Sequence, residues 1–261
     1  MSANAWNPNQ YMKGAMGDLR TRPAMDLLSR ILVERAEAVF DMGCGPGNST
    51  APLKARWPEA RVTGVDNNPA MLEKARANHP DITFAEADAS NWSPDGPADV
   101  IFSNACIHWV PDHAALLPRL LDSLKPGGCL AIQQPNNFAA RSHMLIGEIT
   151  ADSRYRARLE GKLVGDYVQD VRFYHDLLRP IAGSVDIWET EYAQALTGAD
   201  PVLEWVRGTT LLPVERELPA DDFAAFTETY RQELRAAYPM AEDGITLFPF
   251  RRMFMVVTKA G

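Results

Sequence analysis

The stretch "VFDMGCGPGNST", Val39–Thr50, decides how this chain is read, because a short apolar run ends there in a glycine-rich turn. The dinucleotide fingerprint G-x-G-x-x-G uses its third glycine to let a helix pack closely on the preceding strand. Gly43 and Gly45 fit that spacing, but the third position falls on Asn48 and the third glycine comes one residue early, at Gly47. The pattern is D-x-G-x-G-x-G, starting from Asp41. A carboxylate at the end of the strand repels a pyrophosphate and attracts an ammonium group. Asn48 and Asp41 therefore both argue against a nicotinamide-dependent oxidoreductase.

Strand-like runs and helical patterns alternate on either side of this turn. "AVFDM" (38–42), "RVTGVD" (61–66), "ITFAEAD" (82–88), "DVIFSNA" (99–105) and "GCLAIQQP" (128–135) are short and rich in β-branched and aromatic residues. Helical spacing runs through "RPAMDLLSRIL" (22–32), "NSTAPLKARW" (48–57), "PAMLEKARANH" (69–79) and "DHAALLPRLLDSL" (112–124), with Asn48 or Ser49 as a cap for the second. This order predicts a parallel sheet covered by helices. The later chain reads as helices at "SHMLIGEITADSRYRARLEG" and "RFYHDLLRPIA", a strand at "VDIWETEYAQAL", two more helices, and a closing strand at "FRRMFMVVTK". The expected fold is α/β, Rossmann-like and doubly wound, with a mostly parallel seven-stranded sheet and helical lid insertions. Residues 1–261 are expected to form a single domain, with a cofactor-binding core over 36–135 and lid segments at 140–182 and 198–240.

Bulk properties narrow the function. The 261 residues carry a net charge of −8, which argues against a nucleic-acid partner. No apolar run approaches the roughly 18 residues of a membrane helix, and the start of the chain lacks a signal core. The chain is expected to be cytoplasmic and off the membrane. Cys44, Cys106 and Cys129 lie far apart, reading as reduced thiols and not as a metal site.

Three acids close three successive strands: Asp41, Asp66 and Asp88. Ligands in such sheets bind at the carboxyl ends of the strands. A carboxylate at Asp66 can accept both hydroxyls of a ribose. Together with the glycine turn, these residues resemble the first motifs of class I S-adenosylmethionine-dependent methyltransferases. The resemblance implies S-adenosylmethionine as cofactor and S-adenosylhomocysteine as product. It places Gly43, Gly45 and Gly47 against the methionine and ribose portions, and Asp41 near the ammonium. It places Asp66 and Asn67 at the ribose, Asp88 and the Ala89 amide at the adenine, and Asn104 along the methionine portion. Tyr11 or Arg20 would meet the cofactor's own carboxylate.

The segments "WNPNQY", "RTRPAMDLL", "WVPDH", "VDIWETEY", "WVRGTTLLP" and "FRRMF" extend the resemblance over nearly the whole chain, to the trans-aconitate methyltransferase family. That implies esterification of one carboxylate of a small polycarboxylate. Such an acceptor is ionised at neutral pH, so it needs cationic clamps and no dedicated catalytic base. Candidate substrate contacts are Arg22, His108, Trp109, Tyr174, His175 and Arg252. Arg251 and Arg252 are adjacent in a strand and should point to opposite faces. Two further readings stay open: another oxygen or nitrogen acceptor with His108 as base, and a cofactor-binding module without catalysis.

Overall fold

The computed structural model describes residues 19, 21–160, 167–207 and 210–261. The chain divides into two compact units, the first running to Pro135 and adding Tyr167–Thr190 and Met253–Gly261, the second made of Asn136–Asp166 and Glu191–Arg252.

The first unit begins with helix α1 (Arg22–Ser29), in which Pro23 occupies the first turn. Strand β1 (Ala38–Met42) leads through the glycine turn into α2 (Thr50–Arg56). Then come β2 (Arg61–Asp66), α3 (Pro69–Asn78), β3 (Thr83–Glu86) and β4 (Ala98–Asn104), followed by a single 3₁₀ turn at Ile107–Trp109. Helix α4 (His113–Asp122) and β5 (Leu124–Pro135) complete the regular alternation. Asn68 starts α3 by accepting the Ala70 and Met71 amides, and Asp112 starts α4 by accepting that of Ala115.

Chain order does not set the order of strands in the sheet. It is β3-β2-β1-β4-β5-β7-β6, where β6 is Ala182–Thr197 and β7 is Ile245–Lys259. Strands β1 to β5 pair in parallel, with Asp41 level with Gly64 and Phe102, and Asn104 level with Gln133. Their carboxyl ends therefore share one edge. Period-two alternation sends Phe40, Met42, Ile101, Leu130, Ile132, Met253 and Met255 to one face. There they meet Leu116, Leu117, Leu120 and Leu121 of α4, a helical stripe, and Tyr174 and Leu178 of the helix over Val171–Leu178. Each of these aliphatic side chains contributes about 1.5–3 kcal/mol by leaving water.

The second unit carries α5 (Arg141–Thr150) and α6 (Ser153–Leu159), which precede α7 (Val171–Leu178) in the chain. It also carries α8 (Pro201–Arg207), α9 (Leu212–Glu217) and α10 (Ala220–Ala237). Tyr230 of α10 donates to the Ser142 carbonyl at 2.7 Å, and the Ser142 amide donates to the Tyr238 hydroxyl at 3.1 Å. The continuous helix expected over "SHMLIGEITADSRYRARLEG" is broken, because Asp152 accepts the Arg154 amide and caps a new helix. The expected insertion over 140–182 is likewise divided, since α7 belongs to the first unit and buries Tyr174 and Leu178 in the sheet core. Helix α9 went unread in the sequence. Among the described residues no helix is long and apolar enough to cross a membrane.

Arg56, the last residue of α2, reaches the Leu28 and Ile31 carbonyls at the end of α1. The Leu28 carbonyl already accepts the Arg30 and Ile31 amides, and the guanidinium adds a charged donor there and a second one at Ile31, just past the helix end. Replacing Arg56 with Leu should lower unfolding stability by about 1–3 kcal/mol, read as a lower urea midpoint at unchanged slope.

Candidate active site

Three glycines turn the chain from β1 into α2, for two distinct reasons. All have positive φ: 77° at Gly43, 52° at Gly45 and 91° at Gly47. A Cβ at Gly43 would lie 2.3 Å from the Cys106 Cβ, and one at Gly47 would lie 2.6 Å from the His79 ring. A Cβ at Gly45 would meet nothing within 4 Å. Gly43 and Gly47 are thus demanded by packing, whereas Gly45 presents bare backbone to open space. The turn is folded back on β2, with the Gly43 and Cys44 amides both donating to the Val65 carbonyl at 2.7 and 3.0 Å.

The acids hold this turn. Asp41 is fully buried, and its Oδ2 accepts the Ser49 hydroxyl at 2.7 Å and the Thr50 hydroxyl at 2.6 Å. Ser49 sits at the cap position of α2, but its hydroxyl turns to Asp41 and makes no cap bond to the helix. The other oxygen, Oδ1, has no hydrogen-bond partner. Burial pushes the Asp41 carboxyl up to about 6; the two hydroxyls pull it down and the charge of Asp66 adds to the rise. Asp66, half-buried at the end of β2, accepts the Gly45 amide on Oδ2 and the Asn68 amide on Oδ1, both at 2.9 Å. Each of its oxygens retains a further lone pair. Asn67 beside it is exposed.

Strand β3 stops at Glu86, two residues before the end expected from "ITFAEAD". Asp88 therefore stands in the loop, exposed, and accepts the Ser90 amide at 2.8 Å, which holds its carboxyl below the usual range. Ala89 is half-buried. The three acids still share a neighbourhood. Burial, then the charges of Asp66 and Asp41, and more weakly that of Asp88, push the Cys106 thiol up to about 12. Asn104 ends β4 half-buried, with its Oδ1 enclosed and without a hydrogen-bond partner.

A cavity of about 560 Å³ opens beside the turn, lined by Gly43, Gly45 and Asn104 and also by Thr21, Met71 and Lys74. The last three escaped the sequence reading. Met71 and Lys74 had a usable signal: they lie three apart on the helix after Asp66, hence on one face.

The acceptor-side candidates are dispersed. Tyr11 and Arg20 lie outside the described residues. Arg22 is exposed at the start of α1. His108 is half-buried in the 3₁₀ turn, and its ring lies 4.8 Å from that of Trp109, which is 42% exposed. Tyr174 cannot serve as a pocket donor. It is 0% exposed, and its hydroxyl is engaged by His113, Gln134 and the Gln169 amide. His175, next in the helix, faces outward near Asp176. Arg252 belongs to the second unit, where it is 5% exposed with its guanidinium 4.9 Å from the Phe250 ring centroid. Arg251 is exposed instead, as the alternation along β7 requires.

A sheet of this order, with a glycine turn after β1 and acids closing the next strands, defines the methyltransferase class of doubly wound folds. A family model described as a methyltransferase domain matches residues 39–128. Among solved structures, the fold is similar to Haemonchus contortus phosphoethanolamine N-methyltransferase 2, in complex with phosphomonomethylethanolamine and S-adenosylhomocysteine. That match has a TM-score of 0.56 and 15% identity, covering 92% of this chain and 53% of that one. A second is an S-adenosylmethionine dependent methyltransferase from Mesorhizobium loti, with a TM-score of 0.51 and 18% identity, covering 93% and 99%. In sequence, the trans-aconitate 2-methyltransferase of Azoarcus sp. (strain BH72) is 46% identical over 254 residues, 97% of this chain and 99% of its own length. That of Streptomyces avermitilis is 46% identical over 98% of this chain and 97% of its own. The chain belongs to the trans-aconitate 2-methyltransferase family.

Two measurements test this site. Gly47→Ala should cost about 2–4 kcal/mol of stability, because it joins a left-handed penalty to a clash. Gly45→Ala should cost about 1 kcal/mol and should instead weaken ligand binding in calorimetry. Asp41 gives a pH signature. Its native carboxyl titrates near 6 and its unfolded one near 3.8, so between those values the native state holds a proton that the unfolded chain has released. Stability from this group is greatest below that window and falls as pH rises through it, by about 3 kcal/mol in all. Asp41→Asn should flatten that fall in urea titrations between pH 4 and pH 6.

Proposed function

We propose that this chain transfers the methyl group of S-adenosylmethionine to one carboxylate of a small polycarboxylic acid, trans-aconitate first among them. The products would be a monomethyl ester and S-adenosylhomocysteine. The observation that carries this reading is that likeness to enzymes named for the reaction runs through both units and not the glycine turn alone.

The residues present suit the cofactor. Asp41 Oδ1 and Asn104 Oδ1 are enclosed acceptors without hydrogen-bond partners, and a buried acceptor left so is costly. An ammonium group satisfies such oxygens well. Asp66 would take the ribose hydroxyls, Asp88 and the Ala89 amide the adenine, and the bare backbone at Gly45 the close approach. When bound, the sulfonium supplies an electrophilic methyl group and leaves as a neutral thioether. The chain's own task is to aim one carboxylate oxygen at that methyl and keep water out. Arg22 and Arg252 are our candidates for holding the remaining carboxylates, since a guanidinium fork matches a carboxylate at two points. Trp109 would wall off water. His108 would donate or accept a hydrogen bond without removing a proton. Free thiols at Cys44, Cys106 and Cys129 favour a reducing compartment, the cytoplasm.

The test is mass spectrometry of a panel of di- and tricarboxylic acids incubated with protein and labelled cofactor. One methyl should appear on trans-aconitate, and the ester should revert to acid in mild base. His108→Asn should retain activity within about threefold, because an ionised acceptor needs no base. A loss of about a hundredfold or more would favour a hydroxyl or amine acceptor with His108 as base. Absence of any methylated acid would overturn the acceptor class.

A further inference from the structure

Among the described residues, two that are not glycine adopt left-handed backbone: Ala105, with φ of 54°, and Asp112, with φ of 58°. They bracket the segment that carries His108 and Trp109. Any side chain in that conformation meets a steric penalty, and such residues persist only where their surroundings hold them.

Ala105 is held by strand pairing, and the 3₁₀ turn after it by a buried chain of hydrogen bonds. The Ala105 amide donates to the Gln133 carbonyl at 2.8 Å. His113 Nε2 lies 2.8 Å from the Ile107 carbonyl, which also accepts the Val110 amide at 2.8 Å. A carbonyl only accepts, so Nε2 carries the proton and Nδ1 accepts. Nδ1 lies 2.7 Å from the Tyr174 hydroxyl, which must then be the donor. That hydroxyl in turn accepts from Gln134 Nε2 at 3.1 Å and from the Gln169 amide at 3.0 Å. Its single hydrogen and both lone pairs are used. Tyr174 and Gln134 are 0% exposed and His113 is 3% exposed. Burial holds the His113 imidazole below its usual range and therefore neutral, as this tautomer requires. Three elements and the Gln169 amide meet at one hydroxyl: α7, the end of β5 and the start of α4, whose His113 reaches on to the 3₁₀ turn.

We propose that Tyr174 is a positioning residue for methyl transfer: acting through His113, it holds the Ile107 carbonyl and so fixes the strained segment that presents His108 and Trp109 to the acceptor. This rests on the reading that the segment borders the acceptor. Tyr174 touches no reacting atom.

Tyr174→Phe keeps the ring and removes the hydroxyl. Its steady-state kinetics should be compared with wild type on whichever acid of the panel is methylated, so wild-type turnover tests the functional reading and the ratio tests this inference. The acceptor kcat/KM should fall about tenfold or more, while the dissociation constant of S-adenosylhomocysteine stays within about twofold. Adding Ala105→Gly, which removes the left-handed penalty, should restore the acceptor kcat/KM to within about threefold of wild type. Unchanged acceptor kinetics in Tyr174→Phe would overturn the proposal. So would an equal loss of S-adenosylhomocysteine affinity, or failure of Ala105→Gly to rescue. Should Tyr174→Phe not fold, Gln134→Leu, which deletes one donor to the hydroxyl, should show the same selective loss at about threefold. Its absence would count equally against the proposal.

Discussion

The contact between the Asp66 carboxylate and the Gly45 amide ties the glycine turn to the neighbouring strand and sets the shape of the site. A turn of three glycines has little conformational preference of its own. Bonded from Val65 and Asp66 on one side and anchored through Ser49, Thr50 and Asp41 on the other, it has a single available course. That course leaves the backbone at Gly45 uncovered beside a cavity. Without the carboxylates, the same glycines would be a loose linker between a strand and a helix.

Gathering acids along one sheet edge has an electrostatic cost. Asp41 is fully buried with no cation beside it among the described residues, and its carboxyl rises toward neutrality despite two hydroxyl donors. Cys106, among the same charges, is held as a thiol. A cationic ligand removes this penalty by supplying the missing positive charge.

Much of this was legible in the chain itself. The glycine pattern could be read because positive φ and close packing leave few alternatives to glycine, and because Asp41 breaks the dinucleotide pattern. Asp66 was legible because a strand-ending acid in a parallel sheet has one edge to stand on. Tyr174 was misread as a pocket donor. Its spacing to Leu178, four residues on, already placed it on an inward stripe, but a tyrosine hydroxyl advertises binding and interior bonding equally. Asp152 looked like one more polar residue in a helical run, yet its capping bond ends one helix and begins another. Ala105 could not be foreseen, because a left-handed alanine is set by tertiary restraint and not by local preference. The spacing of Met71 and Lys74 put them on one helix face, but which way that face turns depends on the rotation of α3 about its axis.

The strap from Arg56 to the end of α1 bears on how anything gets in or out. Helix α1 carries Ala24 and is preceded by Thr21, both on the wall of the cavity, and α2 grows directly out of the glycine turn. The Arg56 guanidinium thus ties the end of α2 to the end of α1 beside the cavity. Exposed Met71 and Lys74 of α3 also line the cavity. With the proposed cofactor in this cavity, rotation of the Met71 and Lys74 side chains, a picosecond-to-nanosecond motion, would reshape its wall without any change in the glycine turn.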